Sequence, residues 1–358
     1  MKKHYFLIFA LILLTITASG CTGRRVTTAG WPGITVDQDV AYLASGPHIY
    51  AVNLDNGTLK WRFPAEAQRG MDFYAPPAVL DDQQLIAAGY DDTLYSINPA
   101  NGKENWSFTG PKDRLISQPL VTETAIYFTS ADHNLYAVDH QGNELWAPFE
   151  TEEPIWAAPV WSESCECVFV TSMDHRVYAV DPDRGTEIWR TEDLGGPIVS
   201  KPAISDDGIL YVSTFANEVL AINVDTRAVK WRFTTDDWSW ASPIIDGDQV
   251  YASDLAGNFY AIDRQSGEQL WVVKPAGRIV SAPLVGEDMI YFGTDDGALI
   301  TITPDGTIQR NQQISGKLYT SPVGGEDLIL IAPTEHDELL LAYDQNGTKV
   351  WNFSPSDD

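Results

Sequence analysis

Ala137-Val138-Asp139-His140-Gln141-Gly142-Asn143-Glu144-Leu145-Trp146 decides the fold, because the chain keeps returning to it. Ala179-Val180-Asp181 followed by Gly185 and Trp189 is one further copy. Ala261-Ile262-Asp263 with Gly267 and Trp271, and Ala342-Tyr343-Asp344 with Gly347 and Trp351, are two more. Asn takes the Asp position in Ala51-Val52-Asn53 (Gly57, Trp61) and Ser96-Ile97-Asn98 (Gly102, Trp106). Ala221-Ile222-Asn223 with Trp231 places Arg227 where Gly belongs. Thr301-Ile302-Thr303 with Gly306 is the most worn copy, and Arg310 stands near the Trp position. The anchors at 61, 106, 146, 189, 231, 271, 310 and 351 lie about 39 to 45 residues apart, a period that marks a repeat architecture.

Each copy closes a longer unit. Between Ser117 and Trp146 the chain runs Pro119-Leu120-Val121, a Thr122-Glu123-Thr124 turn, Ala125 to Thr129, a Ser130-Ala131-Asp132-His133 turn, Asn134 to Val138, the His140-Gln141-Gly142 turn, then Glu144-Leu145-Trp146. That is four short strands punctuated by turn residues. Eight such units predict an all-β chain: one eight-bladed β-propeller of four-stranded antiparallel blades over residues 31–354, with a tail at 355–358. The first unit opens near Trp31 with Ile34-Thr35-Val36 and the last ends at Phe353, so each blade is expected to be complete within its own repeat. In the motif, Gly supplies a positive φ, Asp or Asn bonds turn amides, and Ala leaves room beside them. Each motif Trp has roughly 150–250 Å² to bury against the next blade, with its N–H on a carbonyl. Seven of the 12 Trp are thereby assigned to structure.

The Ala-x-Asp-x-x-x-Gly-x-x-x-Trp pattern resembles the tryptophan-docking motif of PQQ-like propeller repeats, over about 320 residues. No Trp-Asp dipeptide occurs, which separates it from the WD40 repeat of similar period. Met1-Lys2-Lys3-His4 is a basic start, Tyr5 to Thr17 an apolar run, and Ala18-Ser19-Gly20-Cys21 resembles a bacterial lipobox with Ala18 where Leu is usual. Residues 1–20 therefore read as a lipoprotein signal peptide, Cys21 as the lipidated residue, and 21–30 as a polar tether. An ordinary signal peptide with an incidental Cys, or an uncleaved anchor, are the alternatives. A lipid-anchored eight-bladed propeller of this size resembles the BamB family of outer-membrane β-barrel assembly lipoproteins. The resemblance implies a non-catalytic scaffold that grips a protein partner through its loops. It also implies an exported protein in the cell envelope: the periplasmic face of an outer membrane, or the outer face of the plasma membrane in a single-membrane organism. The family grips its partner with a Leu/Arg-bearing loop; the nearest stretch here, Asp193-Leu194-Gly195-Gly196-Pro197, offers Leu194 with no adjacent Arg.

Charge and chemistry narrow the function further. Lys and Arg total 23 against 50 Asp and Glu, a net charge of −27, and no basic run follows the extreme N-terminus, so nucleic acid is not an expected partner. Cys165 and Cys167 form either a disulfide or a pair of free thiols in an exported protein, and are too few for a zinc site. Some relatives in the wider superfamily are PQQ- and Ca²⁺-dependent dehydrogenases, but those are longer and carry a vicinal Cys-Cys ring where this chain has Cys165-x-Cys167. The sequence holds no His-Glu-x-x-His, no Gly-x-Ser-x-Gly and no phosphate-cradling Gly loop. No catalytic residue, metal set or cofactor is assigned, PQQ and Ca²⁺ included. A PQQ-dependent oxidoreductase remains as one alternative, and a solute- or polysaccharide-binding surface lipoprotein as another.

Binding residues come from alignment on the innermost-strand Pro of each unit (Pro77, Pro119, Pro159, Pro202, Pro243, Pro283, Pro322). Three residues earlier stand Tyr74, Ile116, Trp156, Val199, Trp240, Val280 and Tyr319, with Trp31 nearby in the first unit. These are expected to ring one mouth of the channel. Tyr74, Trp156, Trp240 and Tyr319 then either plug the channel or form a recognition face. The turns between second and third strands open on the same side and carry Asp91, Asp92, Asp132, His133, Asp174, His175, Asp295 and Asp296. His133 and His175 share one repeat position and are the remaining candidates for that face. A monomeric propeller is expected.

Overall fold

The computed structural model describes residues 31–355 apart from position 82 and the side chain of Asp81. Eight four-stranded antiparallel sheets follow one another along the chain, each built from four consecutive strands. Blade 1 comprises Gly33–Asp37, Val40–Ser45, His48–Asn53 and Leu59–Phe63, and blade 8 comprises Val323–Gly325, Leu328–Ile331, Leu340–Asp344 and Lys349–Phe353. Among the described residues no strand is exchanged at the closure. The seam between blades 8 and 1 is a shared apolar cluster, in which Leu43, Val52 and Leu54 pack with Leu330, Ala342 and Trp351.

Burial explains the strand composition. The middle strands are covered on both faces by neighbouring blades and read as unbroken apolar runs: Cys167–Thr171 and Ile209–Thr214 are buried throughout. The outermost strands alternate, as in Lys349–Phe353, because only one face meets a neighbour.

The motif residues meet in space. The Ala sits directly across the ladder from the Trp, as in Ala51↔Trp61, Ala179↔Trp189, Ala221↔Trp231, Ala261↔Trp271 and Ala342↔Trp351. In seven blades a register shift follows that pair at once. Blade 3 is the exception. Pro148 follows Trp146 closely and has no N–H to give the ladder, so the expected strand at Glu144–Trp146 reduces to a bridge at Glu144, and the fourth strand is Phe149–Glu150.

Each indole then leaves its own blade. In six of the seven the N–H donates to a turn carbonyl of the next blade: Trp61 to Pro99 at 2.7 Å, Trp106 to His140 at 3.0 Å, Trp146 to Pro182 at 3.0 Å, Trp231 to Arg264 at 3.0 Å, Trp271 to Pro304 at 3.1 Å. Trp351 closes the circle on Leu54 at 2.8 Å. The motif Gly lies under the incoming ring. A Cβ on Gly267 would stand 2.6 Å from Trp231, and the same holds for Gly102 beneath Trp61 at 2.7 Å. Gly is therefore fixed twice, by a φ of 76° at Gly267 and by the ring on top of it. The two worn junctions keep the geometry with other atoms. Arg227 takes φ 61° and lays its guanidinium 5.9 Å from the Trp189 ring; Arg310 replaces an indole, lies against Gly347 and donates to Gln345 at 3.4 Å.

Candidate functional site

The innermost strands surround a channel of about 400 Å³ whose lining includes Tyr74, Ile116, Trp156, Val199, Trp240, Val280 and Tyr319. Above it opens a cup of about 440 Å³. Tyr74, Ile116, Trp156, Val199 and Trp240 line both spaces, whereas the residues one and two places further along each strand line the channel alone. The sequence-predicted aromatics thus meet at one mouth.

They do not sit as a separated ring. Trp31 enters from blade 1 and lies 5.2 Å from Trp240 and 5.4 Å from Tyr319, centroid to centroid. Phe215 continues the line, 5.2 Å from Trp240 and stacked at 4.9 Å and 10° on Trp238. Trp238 is 48% exposed, so this aromatic ladder runs from the centre of the channel mouth out to solvent. Across the cup Tyr74 meets Tyr90 edge-on at 4.7 Å, with Arg114 5.7 Å over Tyr90. Lys317 lies 6.0 Å over Tyr319. Tyr90 and Phe215 were not singled out from the sequence. The signal was present: both stand four residues before a buried aliphatic of the third strand, Leu94 and Val219, one repeat site seen in two blades.

Below the aromatics the wall is small and neutral. Lys201 is the one charged side chain lining the channel, and the enclosing protein lowers its ammonium from the ordinary value by desolvation. A divalent cation such as the Ca²⁺ of quinoproteins takes carboxylate and carbonyl oxygens, and this wall supplies no carboxylate; the residues present do not fit that group. Among the described residues, no group of three or more His, Cys, Asp or Glu side chains converges to hold a metal ion.

The turns around the mouth are internally committed. The Asp132 carboxylate accepts the Tyr136 hydroxyl at 2.7 Å and the Lys112 N–H at 2.7 Å, tying its turn to the linker entering the same blade. Asp174 does the same with Tyr178 and Glu152, and Asp254 with Tyr260 and Asp236. Burial alone would raise Asp132, but the bonds from Lys112, Tyr136, Asn134 and Ser130 outweigh it and hold it below 3.8. Asp91 accepts Tyr95 at 2.6 Å, yet its other oxygen has no partner, and burial raises it. These carboxylates latch the rim and do not offer themselves to a partner. His133 and His175 sit at φ 73° and 72°, the left-handed turn position that Gly257 and Gly297 hold in blades 6 and 7. His175 Nδ1 lies 3.0 Å from Asp193. Neither histidine lines the cup or channel. Leu194 is buried, its N–H on the His175 carbonyl, so that loop presents no leucine to solvent.

Cys165 and Cys167 are joined as a disulfide in the turn between the first two strands of blade 4. Cys21, with the signal and tether readings, lies outside the described residues. No helix among the described residues is long and apolar enough to cross a membrane.

A family model described as outer membrane protein assembly factor BamB matches residues 45–170, 173–282, 237–326 and 257–357. A BamB from Moranella endobia is 21% identical over 323 residues, covering 88% of this chain and 73% of the relative. Those from Burkholderia pseudomallei and Xanthomonas campestris pv. campestris are 28% identical over 114 residues and 26% over 168. Those two matches cover 31% and 46% of this chain, and span only 29% and 37% of the relatives' length. The crystal structure of BamB from Moraxella catarrhalis superposes with a TM-score of 0.72 at 17% identity, over 86% of this chain and 94% of that one. A computationally designed protein, Ika8, superposes with 0.74 at 13% identity, over 90% and 96%. The propeller fold by itself therefore carries no function.

Proposed function

The chain belongs to that PQQ-repeat BamB family, and from this premise we propose that it is a non-catalytic, lipid-anchored scaffold of the cell envelope that docks a protein partner on its aromatic mouth. The observation that supports the reading is the ladder Trp238–Phe215–Trp240–Trp31–Tyr319, which stays open to solvent at one end inside a rim locked by its own hydrogen bonds. Aromatic anchors held on a rigid frame bind without an ordering cost, and each one fully covered by a partner is worth about 2 kcal/mol or more. The wall below carries Ser and Thr hydroxyls and the single Lys201, with no carboxylate or imidazole beside them to act as a general acid or base. Lipid on Cys21, followed by the tether, would hold this mouth near a membrane.

The test is capture from solubilised envelopes with the lipidated chain. A Trp156→Ala/Trp240→Ala double variant should lose the captured partner at least about tenfold while keeping its melting temperature within a few degrees. Unchanged capture by a folded double variant refutes the docking role of the mouth. A cup of this size lined by stacked rings also suits a saccharide. Titration with oligosaccharides, read by tryptophan fluorescence, would move the assignment to solute binding if it saturates and capture does not depend on the same residues.

A further inference from the structure

A second concave surface lies at the other end of the blades. The turns between first and second strands and between third and fourth strands point away from the aromatic mouth, since successive strands run antiparallel. On that side a groove of about 980 Å³ follows the junction of blades 3 and 4 out from the channel. Its floor is apolar: Val79, Val121, Tyr127 and Trp161 from blades 2 to 4, with Ile188 at the outer end and 46% exposed. Trp161 is a tryptophan that neither the docking motif nor the aromatic mouth absorbs.

The rim is acidic. Glu123, Glu163, Glu166, Asp181 and Asp183 line the groove, with no Lys or Arg among the lining residues. Arg184 sits 3.4 Å from Asp181 and partly offsets it. The other four have no cationic side chain within 4.0 Å among the described residues. The carboxylates do not converge as ligands for a metal ion. They are spread around an apolar strip, and the Cys165–Cys167 disulfide fixes the turn that carries two of them, Glu163 and Glu166, with Cys165 itself on the wall.

We propose that this groove is a docking surface for an extended, Lys/Arg-bearing segment of a partner polypeptide, its apolar side chains laid on Trp161 and Ile188 and its basic ones reaching the four uncompensated carboxylates. Charge complementarity selects this occupant. A second copy of the chain would bring a further −27 to the same rim, and an anionic membrane surface would be repelled.

The probe is a labelled hexapeptide of alternating Lys and Leu, followed by fluorescence anisotropy with the purified full chain. Joint Glu123→Gln, Glu163→Gln, Glu166→Gln and Asp183→Asn substitution should weaken binding at least about tenfold, and about threefold more in low salt than at 0.15 M, where exposed charges are screened beyond ~8 Å. Ile188→Ser should weaken it about threefold with no change in melting temperature. A control quadruple on the same side, Asp206→Asn, Asp225→Asn, Asp288→Asn and Asp327→Asn, removes equal charge elsewhere and should change binding less than about twofold. Equal loss in both quadruples shows general attraction to a −27 protein and overturns the proposal. So does spermine competing as well as the peptide at equal positive charge, or self-association in sedimentation that the groove quadruple abolishes.

Discussion

The junctions between blades and the mouth of the channel are built from the same residue type put to opposite uses. At a junction the tryptophan is covered, its N–H is bonded to the neighbouring blade, and a glycine lies beneath it; Trp231 on Gly267 is representative. At the mouth Trp238 is half exposed and touches another ring. What all eight copies share holds the ring together. Where the copies differ, at the residue three before the innermost Pro and at the second-to-third strand turn, the surface becomes individual. Inside a repeat protein, departure from the repeat is thus the pointer to a site.

The largest effect that tests this contrast is Trp231→Ala, which should destabilise by about 3–5 kcal/mol in denaturant unfolding, against under about 1 kcal/mol for Trp238→Ala. Similar losses at both would dissolve the distinction. Next come two glycines, both at positive φ. Gly267→Ala drives a methyl into the Trp231 ring, while Gly247→Ala meets nothing within 4 Å. The second should cost about 1–2 kcal/mol from left-handed strain alone, and the first about 1–3 kcal/mol beyond that. Arg310→Trp tests the worn junction from the other side. Gly347 already stands ready beneath it, so the restored indole should raise stability by about 1 kcal/mol in a thermal melt.

The smallest effects are in pH dependence and differ in sign between two like latches. Asp132 is held below 3.8 in the fold, so its contribution is complete above that pH and is lost as pH falls through the folded value. Asp132→Asn should flatten the acid limb of the stability profile there. Asp91 is raised, so its contribution is present below 3.8 and falls as pH rises through the folded value. Asp91→Asn should therefore help at neutral pH and leave stability below the folded value little changed, steepening the acid limb that Asp132→Asn flattens.

The blade count and the roles of Asp and Trp were legible because each is a property of one repeat. Ala221 opposite Trp231, or a glycine under an indole, was legible only in part: the sequence shows why Gly267 turns the chain, but the ring above it comes from the blade before. The mouth divides the same way. Tyr74, Trp156, Trp240 and Tyr319 share an alignment column, while Tyr90 at the cup and Phe215 beside Trp240 come from a different turn, which only the folding of neighbouring strands sets against that column. The acids of the rim misled for a related reason. A surface Asp and an Asp that receives a tyrosine hydroxyl four residues on are identical letters, and only the fold of the turn separates them.

Blades 8 and 1 share no backbone ladder; Trp351 reaching the Leu54 carbonyl, Thr320 bonded to Pro32 at 2.7 Å and one apolar cluster hold the seam. Other neighbouring pairs are held the same way, with Arg310 in place of the indole between blades 7 and 8 and Arg227 laid over Trp189 between blades 4 and 5, and with only a covalent linker added. Topologically, then, the circle has no privileged cut. Joining the ends of the propeller and reopening the chain at another linker should give a permuted molecule of the same shape, whose new termini would emerge at a different hour of the clock face.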